Sequence, residues 1–162
     1  MEVKIKKMET DAEIRGKACV HWKSWQEAYD GIVDREYLRN LTLEKCLGMA
    51  YRRTENIIIA KDGEKVVGFA GYGRYRSDAL SDAGEVFALY VLAEYWGQGI
   101  GYRLMQEALR LLAEYSMVAV WVLKDNIRAV RFYERCGFCF DGREEMLQLG
   151  SPVKEVRMIL KR

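Results

Sequence analysis

This 162-residue sequence has one proline, Pro152, one histidine, His21, and four cysteines. So little proline excludes collagen-like and polyproline architectures and leaves helices and strands free to run uninterrupted. A lone histidine argues against zinc. Such a centre takes four ligands, and His21 is far in sequence from the closely spaced pair Cys136 and Cys139. That pair, "CGFC", follows a helical pattern and has Gly137 in a C-cap position, whereas a redox pair opens a helix. Both thiols are expected to be buried packing residues, and no metal is expected. A dominant charge is also lacking. Lys+Arg of 26 against Asp+Glu of 24 leaves a net +2, too balanced to indicate nucleic acid. The longest uncharged apolar-rich run, Tyr115–Leu123, is too short to span a bilayer. The opening "MEVKIKKMETDAEIRGK" reaches no apolar signal core. A cytoplasmic protein without a membrane or nucleic-acid partner is expected.

What is present fits one compact domain over residues 1–162, with 50% hydrophobic and 31% charged residues. Val3–Met8 reads as a strand. Thr10 or Asp11 caps a long helix reaching about Tyr29, with Ile14, Ala18, His21, Trp25 and Ala28 at helical spacing. His21 lies on that apolar seam and reads as a core residue. Shorter helical patterns cover Arg35–Leu41 and Leu43–Arg53. Two β-rich runs around Asp62-Gly63 predict a hairpin. A polar loop leads to the strand "GEVFALYV", then to a helix with Leu104, Ala108, Leu111, Leu112 and Tyr115 on its apolar stripe. "MVAVWVL" reads as a strand buried on both faces. The helix "NIRAVRFYERCGF" stops at Gly137. Strand-like runs at Phe138–Leu149 and Val153–Leu160 flank Gly150–Pro152. This order predicts a mixed α/β layer domain.

Between the strand "GEVFALYV" and the next helix lies "YWGQGIGYRL", with Gly97, Gly99 and Gly101. Glycines at a strand-to-helix turn let an anion approach the backbone, and the unpaired N–H groups of the helix receive it. A phosphate-bearing ligand is predicted. The stretch lacks the Gly-Lys-Ser/Thr of a P-loop. Against the dinucleotide fingerprint, Gly97 and Gly99 fit, the third glycine slot holds Tyr102, and Asp125 occupies the acidic position. A preceding antiparallel hairpin is out of place for that fold, so a dinucleotide-binding oxidoreductase is the secondary reading.

"LYVLAEYWGQGIGYRLM" followed by "NIRAVRFYERCGF" resembles the GCN5-related N-acetyltransferases, over most of the chain. "HWKSWQEAYDGI" and "GFCFDGREEM" are similar to a small bacterial branch of that family. The resemblance implies a mostly antiparallel, twisted sheet of about seven strands with a splayed parallel pair, flanked by about four helices. It implies acetyl transfer from acetyl-CoA to a small-molecule or protein primary amine, without a metal, and a homodimer. In the family pattern Gln/Arg-x-x-Gly-x-Gly/Ala, Gly99 and Gly101 take the glycine slots and uncharged Trp96 the first. The implied cofactor residues are Leu89, Val91, Trp96, Gly97, Gln98, Gly99, Ile100, Gly101, Tyr102, Asn126 and Tyr133. Asn126 and Tyr133, two turns apart, face one side of their helix. Tyr133 is the expected acid toward the departing thiolate. Glu85 is the expected base, with a water relayed by tyrosines as the alternative. On a two-residue period Glu85, Phe87, Leu89 and Val91 share a face. Trp22, Trp25 and Tyr29 are expected to line the acceptor side. An inactive CoA-responsive module is the remaining alternative.

Overall fold

Thr10 caps the first helix of this computed structural model, which describes residues 2–162. Its hydroxyl accepts from the Glu13 N–H, and the Glu13 carboxylate accepts from the Thr10 N–H, a reciprocal capping box. The helix, α1, spans Asp11–Ala28. Before it lies β1 (Val3–Lys7); after it come α2 (Arg35–Asn40), α3 (Leu43–Arg52), β2 (Ile57–Asp62) and β3 (Lys65–Arg74). Asp62 still pairs with Lys65, so the hairpin connection is Gly63–Glu64, one residue later than an Asp-Gly turn. Then follow β4 (Ala83–Val91), a single 3-10 turn, α4 (Ile100–Leu111), β5 (Met117–Leu123), α5 (Ile127–Arg135), β6 (Cys139–Gln148) and β7 (Pro152–Lys161). Among the described residues the α-helices number five, at the five places where the sequence pattern is helical, and Tyr115 falls beyond the end of α4.

All seven strands form one sheet in the order β1-β2-β3-β4-β5-β7-β6. Its one parallel pair, β4 with β5, is brief, from Ala83 opposite Met117 to Glu85 opposite Ala119. Beyond Glu85 the two strands part. Ile57, Ile59, Phe69, Leu104, Met105, Val118 and Met158 are among the fully buried side chains. On one face Lys17 and His21 of α1 lie over Phe69. On the other, Leu104 of α4 comes so close to Gly68 that a Cβ there would sit 3.2 Å from it. No helix among the described residues is long and apolar enough to cross a membrane.

Strand β4 is not regular. Gly71 pairs with Ala88 and Tyr72 with Val86, so Phe87 is an extra residue. Such a bulge reverses the alternation of side chains along its strand. Glu85 therefore faces with Ala88 and Tyr90, opposite to Leu89 and Val91, and the two-residue period across this stretch fails. The thiols also depart from expectation. Cys136 is half-buried at the end of α5, but Cys139 is exposed.

Candidate active site

Where β4 and β5 part, β4 keeps backbone groups with no strand opposite. The Leu92 N–H bonds Val67 on β3. Because direction alternates along a strand, Leu89 and Val91 turn their backbone groups toward the gap. That gap opens into a cavity of about 490 Å³ that reaches both faces of the sheet.

The glycine turn forms one end. Gly97 and Gly99 have φ of +77° and +78°, and a Cβ at either would meet nothing within 4 Å. Both glycines thus serve a backbone conformation that side chains disfavour, and they leave open space over it. Gly99 is the N-cap of α4 and makes no side-chain cap bond, so the first N–H groups of that helix point outward unpaired. Gly101 has a different reason: its Cβ would lie 3.3 Å from the Phe132 ring of α5. Trp96 donates its indole Nε1–H to the Val91 carbonyl at 2.8 Å, and its ring carries the Arg128 guanidinium 3.3 Å from the centroid.

Helix α5 forms one wall. Asn126 is its N-cap, accepting from the Ala129 N–H through Oδ1. Tyr133 is 8% exposed, packed edge-on against Phe132 and Phe138. Burial, then the neighbouring Tyr90, raises its hydroxyl pKa far above the usual tyrosine range. Across the gap the Tyr29 and Tyr90 hydroxyls lie 3.1 Å apart, and burial raises both. Ser24 completes this end, 3% exposed and with no partner for its Oγ.

Of the expected cofactor residues, all but Gln98 line this one cavity. Of the expected acceptor residues, Tyr29 lines it; Trp25 stands edge-on behind Tyr29 at 4.8 Å, and Trp22 is exposed outside. His21 is buried enough that its pKa falls to about 4, with nearby Lys17 adding to the effect. Glu85 lies outside the cavity. Its carboxylate, 2% exposed, accepts from the Arg76 side chain through both oxygens and from the Arg76 backbone N–H at 3.1 Å. Among the described residues no carboxylate lines the cavity, and its charged side chains are Arg128 and Arg135.

Sequence reasoning missed Tyr90, Ser24 and Arg128. Tyr90 sits on the strand face that a bulge-free β4 assigns elsewhere, and Ser24 is one small residue in a helix. Arg128 does carry a signal: a cation in the first turn of a helix opposes the helix dipole.

Residues 19–138 match the Acetyltransferase (GNAT) family. The chain belongs to that family. YuaI, an uncharacterized N-acetyltransferase of Bacillus subtilis, is 31% identical over 126 residues, covering 75% of this chain and 72% of its own. The spermine/spermidine N(1)-acetyltransferase of the same organism is 32% identical over 97 residues, 56% of this chain and 64% of its own. Among solved structures, the PaiA N-acetyltransferase of Thermoplasma acidophilum, in complex with coenzyme A, superposes over the whole of both chains. Its TM-score is 0.76 at 22% identity. The GNAT fold, with its seven strands and one parallel pair, is the fold of this protein, and the protein is an acetyltransferase.

Proposed function

We propose that this acetyltransferase moves an acetyl group from acetyl-CoA to a primary amine that enters from the α1 side of the sheet. The observation that carries the reading is the cavity: its only charges are two arginines, beside an uncapped helix N-terminus and a free strand edge. That set suits a ligand with phosphates at one end and an amide-bearing arm at the other. The pyrophosphate fits against the N–H groups after Gly97 and Gly99, and the pantetheine arm against Leu89 and Val91. Trp96 already occupies the Val91 carbonyl, so the remaining strand-edge groups on this stretch are the Leu89 N–H, the Leu89 carbonyl and the Val91 N–H.

In the reaction the amine nitrogen bonds the thioester carbon, the carbon–sulfur bond breaks, the nitrogen gives up one proton to water, and CoA leaves as a thiolate that takes a proton from solvent. The Val91 N–H is a donor suited to the carbonyl oxygen. Tyr133, kept protonated by burial, hydrogen-bonds the departing thiolate. Complete proton donation from an ordinary tyrosine to a thiolate is uphill by about 2 kcal/mol, and burial makes it steeper. Sharing the proton is therefore its role. With no carboxylate in the cavity, the amine proton leaves through water and the Tyr29–Tyr90 hydroxyl pair, and Glu85 holds Arg76 in place. The acceptor is either a small amine, as the name of the spermine/spermidine relative says of that enzyme, or a protein amine.

Calorimetric titration with acetyl-CoA, beside NADH as control, tests the donor; a screen of amines for thiol release tests the reaction. Tyr133→Phe is expected to lower kcat by about 10²-fold, the low end for a lost acid–base group, while leaving acetyl-CoA affinity within about threefold. Unchanged kcat in that variant would remove Tyr133 from the chemistry.

A further inference from the structure

The family's phosphate-loop pattern begins with Gln or Arg, and this chain has uncharged Trp96 there. Trp96 does not simply fill the slot. Its indole is fixed by the Val91 carbonyl, and its exposed ring face holds the guanidinium of Arg128 in a cation–π stack. Arg128 is the second residue of α5, whose first turn has no acidic residue. A cation there opposes the helix dipole; no ion pair among the described residues includes Arg128, and burial and then the nearby Arg135 charge lower its pKa. Arg128 nevertheless lines the same cavity as Gly97, Gly99 and Gly101. A cation stacked, uncompensated and turned toward a glycine turn is arranged for an anion that arrives from outside.

We propose that Arg128, held in place by Trp96, supplies the charge that binds the pyrophosphate of CoA in this chain. The inference rests on the acetyl-CoA reading and deepens it. Trp96 contributes position and Arg128 contributes charge. A guanidinium offers paired, coplanar donors to two phosphate oxygens, and stacking on the indole fixes the plane before the ligand binds.

Calorimetry on the full chain with CoA and with dephospho-CoA, which lacks the 3′-phosphate, tests this. Arg128→Ala is expected to weaken both ligands alike, by roughly ten- to a hundredfold, as for a lost charged hydrogen bond. Arg128→Lys should fall between, since an ammonium keeps the charge without the flat pair of donors. Trp96→Ala should weaken binding in the wild type but add little in the Arg128→Ala background, because the two side chains act as one unit. Arg128 is exposed, so melting curves of the free Arg128 variants should match the wild type. Affinity within twofold of wild type in Arg128→Ala would overturn the proposal. So would a loss seen with CoA but absent with dephospho-CoA, which would assign Arg128 to the 3′-phosphate. A wild-type protein that bound neither ligand would overturn the acetyl-CoA reading itself, and this assignment with it. Binding by wild type that ignores Arg128 overturns only the assignment.

Discussion

Glu85 is the residue at which chemistry and position part company. Its strand leads into the gap, and a carboxylate there suits a base. Yet its oxygens are taken up by Arg76, and the bulge at Phe87 turns it to the face away from Leu89 and Val91. Replacing it should therefore disturb structure before chemistry. Glu85→Gln leaves the amide facing Arg76 without a charge to balance it. Losing one partner of a buried pair costs several kcal/mol when both are sealed, but the Arg76 side chain is 46% exposed and water screens it. A stability loss of about 2 kcal/mol is expected, measured by chemical denaturation. With any acceptor amine, kcat should change by less than about tenfold and the pH profile should keep its shape. A drop of 10²–10⁴ with a lost ascending limb is the signature of a removed base and would return that role to Glu85.

At the scale of elements, what could be read in advance was whatever a local pattern controls. The start of α1 was legible to within one residue, Thr10 or Asp11, because a short polar side chain before a helical pattern marks a cap; the reciprocal bonds with Glu13 decide for Thr10. The glycine turn and the Asn126-to-Tyr133 face of α5 were legible because spacing alone places them. The bulge was not. Nothing in "GEVFALYV" marks an extra residue, and the feature that admits it lies on the neighbouring strand. A Cβ at Gly71 would lie 2.4 Å from the Phe87 ring, so that glycine makes the room. The arginine behind Trp96 was likewise hidden, since it comes from an element about thirty residues later. Glu13 shows a further element-scale effect that sequence could not give. Besides capping α1, its carboxylate, 4% exposed, binds Lys6 of β1 and Lys61 of β2, fastening the helix to the sheet edge. Burial alone would raise its pKa, but the bonds from Lys6, from backbone N–H groups and from Lys61 prevail and hold it at about 2. The folded state therefore binds that proton more weakly than the unfolded chain. Stability from Glu13 is complete above about pH 4.5 and drains away as pH falls toward 2. The gap is worth at most about 3 kcal/mol, less for the water that reaches Lys6. Glu13→Gln should lower stability at pH 7 by about 2 kcal/mol and flatten the acid limb between pH 4.5 and 2 in urea denaturation. An acid limb as steep as wild type would mean that other carboxylates carry it.

For the molecule as a whole, the parting of β4 and β5 makes the sheet incomplete at its centre. Three paired positions join the strands, and beyond Glu85 the middle of a seven-stranded sheet has backbone groups open to the cavity. An unpaired strand edge inside a fold is tolerated only where water or a ligand reaches it. On this reading the ligand is a structural member as well as a substrate. An amide-bearing arm along Leu89 and Val91 would join the two halves of the sheet, while its phosphates tie the glycine turn to α5 through Arg128. Two consequences follow for measurement. At a hundredfold excess over Kd, acetyl-CoA should stabilise the fold by about 2.7 kcal/mol, raising Tm by roughly 5–10 °C for a chain of this size. Hydrogen exchange should show where the gain is placed. Protection should rise at Leu89, Val91 and the first N–H groups of α4, and stay unchanged on β1 and β2, which are already paired with their neighbours. Acetylated pantetheine, which has the arm without the pyrophosphate, should protect Leu89 and Val91 but leave the α4 N-terminus exchanging as in the free protein. If instead protection rose evenly over the whole sheet, the gap would not be the place where the ligand acts, and the open edge of β4 would need another explanation.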